Sequence, residues 1–290
     1  MTKTASYRYL PNGLMSTMTT LEGLTVTYGY DAALRLITQT DPHDPNTDKT
    51  VRYTLDARNR RTAITFPSGV KQSVMFSQGR VATINLTNAA GVSLQSFGYT
   101  YFAGGNVRQV NEKTPGHNLL DSVIAYTYDE QNRLATAVRT GQNPYNHGYG
   151  YDHNNNRTGF TRSGVLTTAE YDAANQLTRQ GTTYYAYDRA GNLDNYGPTA
   201  NRTESDLGYD ASNKWTGGHI GSTTVAFGYD GFGRRVERQT GTGAQTNYWY
   251  DQTGMSLETG GTNSSYLRDP GGRLLSRWFA PVHANYGTDR

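Results

Sequence analysis

The chain has 290 residues and a mass of 32.0 kDa, room for one large domain or two ordinary ones. Leu, Ile, Val and Phe supply only about 16% of it, while 12% is aromatic, 23 residues are Tyr and 33 are Gly. With a net charge of +3, this excludes an aliphatic-cored globule and an ordinary disordered tail alike, and it predicts tyrosine-rich apolar surface with many turns.

Further classes drop out on local grounds. No run of 18 or more apolar residues exists, so no membrane span is expected, and Met1 to Leu10 lack the apolar core of a signal peptide. The absence of Cys excludes disulfides and cysteine-based zinc sites. The 27 cations and 24 anions are interspersed, with no basic block, so no nucleic-acid partner is expected.

In chain order, the sequence repeats itself. Tyr7 to Leu14 read as a shortened first copy. Tyr30-Asp31 follows, then three degenerate copies, Leu55-Asp56, Phe76-Ser77 and Tyr101-Phe102. Tyr128-Asp129, Tyr151-Asp152, Tyr171-Asp172, Tyr187-Asp188, Tyr209-Asp210, Tyr229-Asp230 and Tyr250-Asp251 come next, and Arg268-Asp269 is the last variant. From Asp31 to Asp269 there are eleven intervals over 238 residues, a mean of about 22, with individual spacings from 16 to 27. A period of this size marks stacked repeat units. The irregular spacing suggests hairpins with variable loops.

The interior of each unit specifies a hairpin. Aromatics two apart, as in Tyr126-Thr127-Tyr128 and Tyr185-Ala186-Tyr187, share one face of a strand. Three residues after Asp stands Asn or Gly, for example Asn132, Asn155, Gly191, Gly233 and Gly254, residues that tolerate the left-handed backbone of a tight loop. The Asp carboxylate can accept amide hydrogens inside that loop. A polar and then an apolar residue usually follow, as in Arg133-Leu134 and Asn192-Leu193, before a looser Gly- or Thr-rich return. Helical periodicity is nearly absent. The expected fold is all-β, a strip of antiparallel hairpins with wet Tyr and Thr on its faces and curvature from strand twist.

Candidate chemistry is sparse. Eight equivalent Tyr-Asp pairs argue for a structural motif, because catalytic groups are asymmetric and gather in one pocket. Asp44-Pro45-Asn46-Thr47-Asp48 begins like a calcium loop but has Lys49 and Leu55 where Gly and Glu belong. Asp152-His153-Asn154-Asn155-Asn156 fails at Arg157 and reads as a hairpin tip. The six His show no metal-binding spacing, and no phosphate-binding or nucleophile-elbow motif occurs. No cofactor, metal site or enzymatic activity is expected. Trp215, Trp249 and Trp278 could stack on sugar rings, which keeps an adhesion module that binds carbohydrate as the alternative reading; packing between hairpins is the simpler role for them.

The Tyr-Asp units, with Asn or Gly and then Arg-Leu or Asn-Leu after them, resemble the Rhs/YD-repeat proteins over Tyr7 to Arg290. That group includes bacterial Rhs polymorphic toxins, wall-associated proteins, the C subunits of toxin complexes and teneurin barrels. The resemblance implies a spiral hairpin shell that encloses or presents a C-terminal toxin effector, within a longer protein that is secreted or displayed at the cell surface. It also implies a boundary. Residues 1–265 would be the hairpin array, and 266–290, from Tyr266-Leu267-Arg268-Asp269-Pro270-Gly271-Gly272-Arg273 to Asn285 through Arg290, the truncated start of an Rhs-associated core. On that reading the chain is a fragment, and its partners are the effector and the remaining shell segments.

Overall fold

The computed structural model describes residues 4–116, 120–198, 207–260, 263–279 and 283–285. Within them the regular structure is β: eighteen strands run from Ser6–Tyr9 to Leu193–Pro198, and nine from Gly208–Tyr209 to His283–Asn285. Among the described residues, each strand whose register is defined pairs antiparallel with the next in the chain, the pattern of a meander. Short local connections explain this, since a tight loop can only return the chain beside the strand it has just left.

A register shift sits beside the tyrosine of seven repeats. Tyr128 faces Leu134 and Thr127 faces Thr136, which leaves Ala135 as the extra residue. The same step occurs at Tyr30, Tyr151, Tyr171, Tyr187, Tyr209 and Tyr229. Bulges of this kind bend a strand and increase its twist.

The chain divides into two compact units. The first comprises Met1–Tyr99, Asn111–Asn118 and Tyr248–Arg290; the second comprises Thr100–Val110 and Leu119–Asn247. In the first, the early hairpins and the late ones share an apolar core: Met18, Val26, Tyr28, Val51, Tyr53, Ile64 and Phe66 pack with Leu267 and Leu275. Polar bonds surround that core. Gln39, fully buried, donates from Nε2 to the Arg268 carbonyl at 2.8 Å, and Arg61 pairs with Asp269 at 3.0 Å. Tyr9 Oη donates to Gln252 Oε1 at 3.2 Å, and Tyr7 Oη accepts from the Gln252 amide at 3.0 Å.

The second unit shows no comparable core among its described residues. The buried apolar ones there are Val110, Ile124, Ala137 and Val225, while Val165, Leu166 and Phe232 stay exposed. Aromatic and cationic stacking covers the sheet instead. Tyr185 stacks on Tyr196 at 6.0 Å, Trp215 meets Phe227 at 4.7 Å, and the Arg235 guanidinium lies 4.3 Å over Phe227.

Candidate functional site

The chemistry-bearing residues lie along the turns, and one repeat shows how they act. Asp129 begins a β-turn in which the Asn132 amide donates to the Asp129 carbonyl at 3.0 Å and the Asp129 amide donates to the Arg133 carbonyl at 2.9 Å. Asn132 takes a φ of 61°, the left-handed conformation that Asn tolerates and most side chains avoid. The carboxylate completes the loop: Asp129 Oδ1 accepts from the amides of Gln131 at 3.0 Å and Arg133 at 2.8 Å, and Oδ2 accepts from Arg133 Nε at 2.7 Å.

The same residues join neighbouring hairpins. Arg133 Nη1 donates to the Asp152 carbonyl and to Asn155 Oδ1, both at 2.9 Å. In return Tyr151 Oη donates to the Leu134 carbonyl at 2.9 Å, with the Arg133 guanidinium 4.7 Å above its ring. In six repeats the acceptor is the residue six positions after the Tyr position of the preceding repeat. Tyr30 reaches Met15, Tyr128 reaches Val107, Tyr171 reaches Arg157, Tyr187 reaches Leu177 and Tyr229 reaches Trp215, at 2.7–3.0 Å. Where Asn replaces Arg, side-chain amides make the link, as in Asn156 to Asn175 at 2.8 Å and Asn192 to Asn213 at 3.1 Å. Aspartate thus closes its own turn, and tyrosine and the residue after the turn stitch that hairpin to its neighbours.

The electrostatics fit this arrangement. The Arg35 side chain and backbone amide hold the Asp31 carboxyl below its ordinary range, and the Arg60 amide and guanidinium do the same for Asp56. Asn156 lowers Asp152 and Asn192 lowers Asp188 in the same way. Burial pushes the hydroxyls of Tyr30 and Tyr128 upward, which keeps them protonated donors. Each of these four carboxylates is committed to its own loop. Among the described residues each pair makes a similar small assembly at its own turn.

Sequence expectation and structure diverge at three places. Tyr250-Asp251 carries the dipeptide without the five-residue turn: Asp251 ends the strand Thr246–Asp251, only Gln252 and Thr253 turn, and Gly254 opens the next strand with a φ of 129°. There Asp251 Oδ1 accepts from Thr253 Oγ1 and its amide, and the tip meets Tyr7 and Tyr9 instead of a following turn. Phe76-Ser77 likewise uses a two-residue turn, Gln78-Gly79, both left-handed. Conversely, Tyr101-Phe102 closes the full turn without any carboxylate.

The expected looser returns include tight ones. Thr20, Phe66 and Asn88, at the far ends of their hairpins, begin turns with the same two backbone bonds and a left-handed fourth residue, Gly23, Gly69 and Gly91. The signal was present, since Gly stands three residues after each of them, but without Tyr-Asp it goes unnoticed. Leu34 was also missed. It holds the left-handed place of the Asp31 turn with a φ of 61° and is 54% exposed.

The remaining candidates are placed as follows. Asp44 is buried, and its Oδ1 accepts from the Asn46 amide and Nδ2, at 2.9 and 2.7 Å, within its own loop. The Asp152 tip is a hairpin turn of the common kind. Trp215, Trp249 and Trp278 are half-buried; Trp215 Nε1 donates to the Gly217 carbonyl at 2.7 Å, and Trp278 lies 5.5 Å from the His43 ring. Residues 266–279 continue the hairpin pattern, with a full turn at Asp269, whereas Tyr286 to Arg290 lie outside the described residues.

Comparisons with known proteins agree with this geometry. Human (Homo sapiens) Teneurin-1 is 30% identical over 126 residues, which is 43% of this chain and 4% of that protein. Among solved structures, the Photorhabdus luminescens Tc holotoxin pore matches with a TM-score of 0.62 at 14% identity, covering 96% of this chain and 16% of that one. A TcdB2-TccC3-Cdc42 structure matches with a TM-score of 0.60 at 14% identity, covering 95% and 17%. TcdB2-TccC3 without its hypervariable C-terminal region matches at 0.56 and 13%, covering 93% and 18%. At such identities these likenesses concern the fold, and the chain spans a small part of each relative. The Teneurin YD-shell family matches residues 88–258, more than half of the chain, and it is to this family that the protein belongs.

Proposed function

We propose that the chain is a non-catalytic wall segment of a YD-repeat shell, and that in its full-length protein the wall encloses or presents a C-terminal effector. One observation carries this reading. Tyrosine and aspartate, the residues that could do acid-base chemistry, are spent repeat after repeat on neighbouring backbone groups. A wall needs that repetition, because its function is to exclude proteases and hold contents apart, and every hairpin must be sealed to the next. A catalytic site needs the reverse, a few unlike groups converging.

The matched toxin structures support the reading by fold, and one of them lacks a hypervariable C-terminal region. Other shell segments are then the immediate partners, and a secreted or cell-surface setting follows from the role. The half-buried tryptophans, held by neighbours, do not favour the carbohydrate-binding alternative.

The test is protection in cis. A protease-sensitive reporter would be joined to the shell in its full-length protein and compared with the same reporter added separately. Slower cleavage of the joined reporter, lost when the wall is opened by substitution, is expected. Equal cleavage rates would refute enclosure, and saturable binding on a glycan array, abolished by Trp249→Ala, would replace the shell reading with adhesion.

A further inference from the structure

The two faces of the sheet in the second unit differ in charge. Along the strands Tyr145–Tyr151 and Arg157–Arg162, alternation and register decide which side chains share a face. Tyr149 faces Phe160, His147 faces Arg162 and Tyr151 faces Arg157, so these six side chains stand on one side. Ring contacts agree with that placement. Tyr145 stacks on His147 with centroids 4.3 Å apart, and His147 and Tyr149 lie 5.2 and 5.4 Å from Phe160. The Arg157 guanidinium is 5.5 Å over the Phe160 ring. The rings are half-buried, while Arg157 and Arg162 are exposed.

The acids of this region are directed elsewhere. Asp129 accepts from Arg133, and Asp152 from Asn154 and Asn156, each inside its own turn. In the next strand Thr167 faces Phe160, which puts Glu170 on the opposite side of the sheet, where it pairs with Arg179 at 3.3 Å. Among the described residues, the strands from Tyr145 to Tyr171 place no Asp or Glu on the aromatic face. The arrangement recurs in the strands Thr223–Tyr229 and Arg235–Thr240. There Phe227 faces Arg238 and Tyr229 faces Arg235, whereas Glu237 faces Gly228 on the other side.

The geometry also selects the kind of partner. Side chains stand roughly perpendicular to a sheet, so rings that stack on one another turn their edges outward. A ring edge is the positive part of its quadrupole, and the tyrosines add hydroxyl donors. With guanidinium groups beside it, such a surface suits carboxylates, which accept from cations and donors alike. Nucleobases need open ring faces to stack on, and here the Tyr145–His147 stack and the Arg157 contact cover ring faces. We propose that this face is a docking surface for an acidic polypeptide segment, whose carboxylates meet Arg157 and Arg162 along the edges of Tyr145, His147, Tyr149 and Phe160. Docking of this kind does not depend on the wall enclosing an effector.

Fluorescence anisotropy of the whole chain with a labelled Glu-Ser repeat peptide tests it. Saturable binding that weakens between about 50 mM and about 300 mM salt is expected. Arg157→Gln combined with Arg162→Gln should weaken it roughly tenfold, whereas Arg179→Gln, on the opposite face, should change it less than about twofold. Should the double variant fail to fold, the wild type supplies a second readout. Bound peptide should slow phenylglyoxal modification of Arg157 and Arg162 and leave that of Arg179 unchanged. Absence of binding, equal binding of a Lys-Ser repeat, tighter binding of oligothymidylate, binding that survives the double substitution, or unprotected Arg157 and Arg162 would overturn the proposal.

Discussion

The two units resist unfolding by different means. The first buries Met18, Val26, Val51, Ile64, Phe66, Leu267 and Leu275 between hairpins far apart in sequence. The second buries few apolar side chains, and its hairpins are joined by tyrosine hydroxyls, turn amides and Arg-aromatic stacking. Apolar burial is non-directional and worth roughly 25 cal/mol per Å², whereas a hydrogen bond nets only about 1 kcal/mol but fixes register. The contrast teaches that one repeat serves two regimes. A sheet with few core contacts persists when each turn is chemically closed and each hairpin stapled to the last.

Substitution can break this contrast. Leu275→Ala, at a site 1% exposed, should remove about 3 kcal/mol from the first unit and leave amide protection in the second unchanged. Equal loss in both units would erase the distinction.

Acid should act in the opposite order. Asp129, Asp152, Asp188, Asp210 and Asp230 all have carboxyls held below their ordinary range in the second unit. A depressed folded value means stability that is present above the unfolded value, about 3.9, and lost as pH falls through the folded one. Exchange should therefore accelerate below about pH 4 and do so first in the second unit, because the first unit, whose Asp31 and Asp56 are held down likewise, keeps its apolar core; an acid scan that loosens the first unit earlier would contradict this.

Smaller effects sharpen the account of single turns. Gly191 has a φ of 85°, so Gly191→Val should cost about 1–2 kcal/mol in a denaturant melt, and Gly191→Asn much less. Tyr151→Phe removes only the bond to the Leu134 carbonyl and should cost about 1 kcal/mol; an unchanged midpoint would show that the hydroxyl is replaceable by water. Leu34→Asn relieves an exposed leucine from left-handed backbone and should stabilise by roughly 0.5 kcal/mol.

Much of the local structure was legible because it is short-range. Asp129, Asn132 and Arg133 build their turn from five consecutive residues, and the spacing of aromatics gave the strand period. The tyrosine staples were harder to read. Nothing at Tyr151 names Leu134, although the constant offset between repeats encodes the pairing. Tyr250-Asp251 shows the limit of the motif, because its surroundings draw the tip toward Tyr7 and Tyr9.

Turn type, strand direction and the order of hairpins rest on neighbours within about 25 positions, so residue identity suffices to set them. The burial of Gln39 and Asp41, and the joining of Glu22 and Asp41 to Ser265 and Ser276, rest on contacts across more than two hundred positions. Polar residues like these read as surface in any local window. Only the packing of distant hairpins removes their water and supplies partners in its place.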